Sequence, residues 1–121
     1  VTTLVEARAE IIDALSDAGA RATSKPGDGA PPYVLVQFDG GDPAQVMRGA
    51  VQADYRLTLV GGLWDAAAAA GQLDTLCQTV LETLRELPGW IVGTIGRDGG
   101  REWKGATYLT RDVSASRAID L

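Results

Sequence analysis

Hydrophobic positions recur along this chain with two different periods. Between residues 3 and 18, Leu4, Ala7, Ile11, Leu15 and Ala18 fall on one stripe of a 3.6-residue repeat. Thr3-x-x-Glu6 stands before the stripe as a capping box and Gly19 follows it, so the pattern predicts an amphipathic helix. Residues 50–60 switch to a period of two: Val51, Ala53, Tyr55, Leu57 and Leu59 point one way, Gln52, Asp54, Arg56 and Thr58 the other, which predicts a strand with one polar face. A second helix is expected from a cap at Asp65 through the alanine run to Leu87. Its inner face carries Leu73, Leu76, Cys77, Val80, Leu81, Leu84 and Leu87, and Pro88-Gly89 stops it. Trp90, Ile91, Val92, Thr94 and Ile95 predict a further strand. The glycine-rich residues 96–100 contain an Asp-Gly hairpin signal and lead to a last strand over roughly residues 102–113.

Residues 33–38 follow neither rule. Tyr33 and Leu35 are apolar on one face and Val34, Val36 and Phe38 on the other, so a strand here needs cover on both sides. It is entered through Pro31-Pro32 after a loop rich in breakers, and Gly40-Gly41-Asp42-Pro43 reads as the next break. Residues 21–24 fit a short edge strand. The resulting order, α-β-β-β-α-β-β, predicts an α+β fold: a mixed, mainly antiparallel sheet with two helices packed on one face, in a single domain over residues 1–121. Two helices bury one apolar set of residues 33–38. Nothing else in the pattern covers the other set, so a partner chain is expected over whichever set the helices leave bare, Tyr33 and Leu35 or their opposite-face neighbours, the alternative being that residues 40–49 or a sheet edge fold across it.

Composition narrows the chemistry. A chain of 121 residues, 45% hydrophobic and 22% charged, has the size and balance of one globular domain, with no apolar run of the about 20 residues that span a bilayer. The first residues lack a basic leader followed by an apolar stretch, which points to folding in the cytoplasm. Histidine is absent, which removes the usual base near neutral pH, the Ser-His and Cys-His nucleophile pairs and the commonest transition-metal ligand. The lone Cys77 sits on a helix face among leucines and reads as a small core hydrophobe. Gly96-x-x-Gly99-Gly100 lacks the strand-to-helix setting of a dinucleotide loop, Asp39 and Asp42 do not follow the calcium-loop pattern, and Ser114 and Ser116 read as a solvated tail without a base. No catalytic residue, cofactor or metal is therefore expected. A net charge of −5 opposes non-specific binding to nucleic acid. Trp64, Trp90 and Trp103 lie at element boundaries, as core rims or interface anchors.

Several segments together resemble a known family. They are the first helix ending at residues 17–20 (Asp-Ala-Gly-Ala), the strand entered by Pro-Pro-Tyr-Val-Leu-Val-Gln, and Ala-Asp-Tyr-Arg-Leu-Thr-Leu-Val followed by Gly-Gly-Leu-Trp-Asp-Ala. The helix from Gln72 to Leu84 and a closing hairpin near Tyr-Leu-Thr-Arg-Asp-Val complete the set. In these features the chain resembles the tail terminator, or tail-completion, proteins of long-tailed bacteriophages, over nearly its whole length; the Ala-rich start of the second helix departs from that pattern and leaves its first residue open. The resemblance implies a virion structural protein, assembled in the host cytoplasm, that forms a ring, usually of six subunits. The ring would cap the tail tube protein, stop its polymerisation and offer a surface to the head-side connector. Partners would be further copies of the chain, the tube and the connector, with DNA only passing through a lumen and no membrane involved. Tyr33, Leu35, Met47, Trp64 and Trp103 are then expected at subunit or partner contacts, and the row Gln52, Asp54, Arg56 and Thr58 on a lumen wall or exposed strand face. Rival readings are a neck or head-closure protein of the same virion, a small ligand-binding α+β domain, and DNA contact through Arg97, Arg101 and Lys104.

Overall fold

The computed structural model describes residues 3–25, 31–42 and 50–120. Helix α1 (Leu4–Asp17) starts where the capping box is written: the Thr3 hydroxyl accepts the Glu6 N–H at 3.2 Å and donates to the Glu6 carboxylate at 3.1 Å. Ala7, Ile11 and Leu15 form its buried stripe, whereas Leu4 and Ala18 at its two ends are exposed. Helix α2 (Ala69–Glu86) begins three residues later than the Asp65 cap predicts, with Ala68 in the cap position, whose methyl group offers no cap bond. Residues 64–68 form turns in between, with the Ala66 N–H bonded to the Leu63 carbonyl at 2.9 Å. From Ala69 onward the expected stripe of Leu73, Leu76, Cys77, Val80 and Leu84 is buried.

Six strands make one sheet: β1 (Ala22–Thr23), β2 (Tyr33–Asp42), β3 (Ala50–Leu63), β4 (Trp90–Ile95), β5 (Gly99–Trp103) and β6 (Ala106–Asp120). Their spatial order is β1-β2-β3-β6-β4, with β5 beside the other end of β6. Among the described residues β1 and β2 pair in parallel and every other pair is antiparallel. The fold is thus α+β, a mixed and mainly antiparallel sheet with two helices on one face. Val34 and Val36 of β2, Ala53, Tyr55, Leu57 and Leu59 of β3, and Val113, Ala115 and Ile119 of β6 meet the two helices in the main core. Trp90 closes that core at one end: its indole N–H donates to the Glu10 carboxylate of α1 at 2.6 Å, and its ring lies 5.4 Å from that of Tyr55. Arg117 of β6 pairs with the same carboxylate at 3.3 Å.

Three element boundaries differ from the sequence expectation. The break at Gly40-Gly41 is a bulge between Phe38 and Gly41, through which β2 continues to Asp42. The hairpin does not turn at Asp98-Gly99; residues 96–98 are an irregular join, and the turn is Lys104-Gly105, closed by the Trp103–Ala106 pair. Both turn residues have positive φ, 50° and 80°, as a two-residue type I′ turn demands, and glycine at the second position makes that possible without strain. As a result β4 and β5 follow one another along β6, which runs on to Asp120, so Ser114 and Ser116 are strand residues and not a solvated tail.

Candidate interaction surface

Strand alternation sends a second set of side chains to the side of the sheet away from the helices. At one end of that side the set is apolar: Tyr33, Leu35 and Val60 form a separate buried cluster, with Trp103 and Tyr108 packed against it. The Tyr33 and Trp103 rings meet edge to face at 6.0 Å. Tyr33 and Leu35 are 2% and 1% exposed in the single chain. The expectation that a partner must cover them is therefore corrected. The cover comes from the β5–β6 hairpin, closer to the alternative of a sheet edge folding across; a turn placed at residues 96–100 runs Trp103 into one long last strand and so hides the separate hairpin that brings it to this face. Burial pushes the Tyr33 hydroxyl pKa up, reinforced by Tyr108 and opposed by Arg101. Trp64, by contrast, is about half exposed; its ring lies over Gly100, where a Cβ would come within 2.9 Å of Cε3. Met47 lies outside the described residues.

The rest of this side is mostly polar, with Ile91 at its outer edge. Cross-strand neighbours align Leu35, Thr58 and Asp112 in one rung, Gln37, Arg56 and Ser114 in the next, and Asp54, Ser116 and Ile91 in a third. The expected polar row of β3 does share this face, but it is not an open wall. Thr58 is buried and donates to Asp112 at 2.8 Å, while Gln52, Asp54 and Arg56 are half-buried. The Ser114 hydroxyl accepts the Thr94 N–H at 2.7 Å. Arg56 Nε and Gln37 Oε1 are shielded from solvent and have no hydrogen-bond partner among the described residues.

Large apolar side chains stand exposed at three places on the sheet. These are Phe38 on β2, Ile91 and Ile95 on β4 at the opposite side, and Leu63 and Trp64 at the hairpin end; Leu4 and Val5 are exposed on the first turn of α1. Ile91, 67% exposed, was missed as a surface residue; the signal for it was present, since Trp90-Ile91-Val92 does not alternate and a strand of that kind has an apolar residue on each face. A groove of about 620 Å³ runs between the end of α1 and α2, lined by Gly19, Ala20, Gly71, Thr75 and Leu76, with no charged group. Among the described residues no three His, Cys, Asp or Glu side chains gather into a metal-holding group, and no helix is long and apolar enough to cross a membrane. Compared with known proteins, the chain matches no family model and no curated protein significantly.

Proposed function

We propose that this chain is a tail-terminator-like structural protein of a long-tailed bacteriophage, which closes into a ring, caps the tail tube and joins it to the head-side connector. The observation that carries the reading is the separation of the exposed apolar residues: Phe38 stands towards one lateral side of the sheet, and Ile91 and Ile95 at the other. A closed ring of identical subunits needs a heterologous interface, hence two different sticky patches on each copy. Six copies is the number the resemblance implies. The net charge of −5 suits a lumen that lets DNA pass without holding it. Trp64 and Leu63, exposed at the hairpin end and clear of both lateral sides, are the residues this reading assigns to the tube or the connector. The interface role expected for Tyr33 and Leu35 passes to these more exposed side chains.

The test mixes the purified chain with polymerising tail tube protein. Light scattering is expected to give a mass that is a multiple of the 12.7 kDa chain, and electron microscopy to show tubes that stop growing once the protein is added. A capped head-side connector with tube length unchanged would identify a neck protein instead. A single chain that leaves tube growth untouched would overturn the proposal.

A further inference from the structure

Two strand edges of the sheet have no partner among the described residues. On one side β1 pairs β2 at Val34 and Leu35, and among the described residues nothing pairs with the outer edge of β2 over residues 36–42. On the other side the six residues of β4 pair inward to β6 and to nothing outward. These two edges lie at the same height. Phe38 pairs with Tyr55, Tyr55 with Ala115 and Ala115 with Val92; one rung on, Gly41 pairs with Ala53, Ala53 with Arg117 and Arg117 with Trp90. They are also similar in length and compatible in sense. The strands β2, β3, β6 and β4 alternate in direction, so a copy brought alongside by rotation about an axis parallel to the strands presents its β2 antiparallel to β4 of its neighbour.

Open edges are normally blunted by charge, proline or cover, because unpaired N–H and C=O groups template further strands. β4, Trp-Ile-Val-Gly-Thr-Ile, has neither charge nor proline and exposes Ile91 on one face and Ile95 on the other. We propose that β4 of one copy pairs antiparallel with the open edge of β2 in the next copy, extending the sheet from subunit to subunit around the ring. The pairing rests on the ring reading above and supplies its two unlike patches: one edge contributes Ile91 and Ile95, the other Phe38. A strand pair of six residues spans about 20 Å. Taken alone it is smaller than the about 1,200 Å² that stable interfaces bury. The flanking apolar side chains and the closure of the ring make up the difference.

The register predicts that Phe38 of one copy stands beside Val92 of the next. Within one chain the two are three strand spacings apart, about 14 Å, well past the about 7 Å between Cα atoms that a disulfide can bridge. In a Cys77→Ala background, Phe38→Cys combined with Val92→Cys, or with Ile95→Cys for a slipped register, is expected to give a ladder of linked chains on oxidation that ends in a closed species. The double variant Ile91→Lys with Ile95→Lys should keep its circular dichroism and melting temperature and fall to the mass of one chain. If the unaltered protein has ring mass but neither cysteine pair links, or if the lysine variant keeps the ring mass, edge pairing is wrong and the ring reading stands. If the unaltered protein remains a single chain alone and on tubes, both fail.

Discussion

At the scale of single residues, the most informative position is Leu35. Its alternation with Tyr33 reads correctly from the sequence as a second apolar face, and the structure buries both side chains under Trp103 and Tyr108 of the same molecule. Leu35→Ala should therefore cost about 2–5 kcal/mol of folding stability, the range for deleting a fully buried leucine. Leu35→Asp should yield no folded protein in urea titrations, whereas Ile91→Asp, at a site two-thirds exposed, should fold normally. A Leu35→Asp protein with wild-type stability would return Leu35 to an interface. The sequence shows that the face exists and leaves out what covers it. Cover depends on where a remote hairpin turns, and Asp-Gly at 98–99 is the stronger local turn signal, while Lys104-Gly105 is the pair with the positive φ values. Trp64 and Trp103 illustrate the same limit. Both lie at element ends in the sequence, yet one stands half exposed over Gly100 and the other packs on Tyr33.

At the scale of elements, helix α2 is tied to the sheet by more than its leucines. Arg111 of β6 donates from Nη2 to Asp74 of α2 at 2.8 Å and from Nε to Asp98, in the join between β4 and β5, at 2.6 Å. The hydrogen bond from Arg111 holds the Asp98 carboxyl below its ordinary pKa. Because the folded value is the depressed one, the unfolded chain takes up a proton at Asp98 first as pH falls. Its contribution to stability is present above the unfolded value of about 3.9 and is lost as pH drops through the folded value. Asp98 is partly exposed and screened by solvent, so the effect is small. Asp98→Asn should lower the melting temperature slightly at neutral pH and flatten its fall below about pH 4; an unchanged acid slope would show that the pair contributes nothing. Both helices, their inner faces and the alternating core of β3 were legible because each rests on a local period. The late start of α2 and the bulges in β2 and β4 were not, since glycine and alanine leave several backbone paths open and tertiary packing selects among them.

At the scale of the whole molecule, strand β6 is the common partner: it pairs with β3 on one side and with β4 and β5 on the other. Translation produces it after all three. Until it clears the ribosome, β4 and β5 have nothing to pair with and the long edge of β3 stays bare, so the sheet is completed only by contacts between distant parts of the chain. A nascent chain stalled before Ala106 should be cut readily by protease, and one stalled far enough downstream for Asp120 to emerge should resist; equal resistance of the two would show that the earlier strands fold without it. In the cell, this order of appearance leaves the growing polypeptide with sticky strands that chaperones or its own ribosome must guard until the final ribbon slides into the gap.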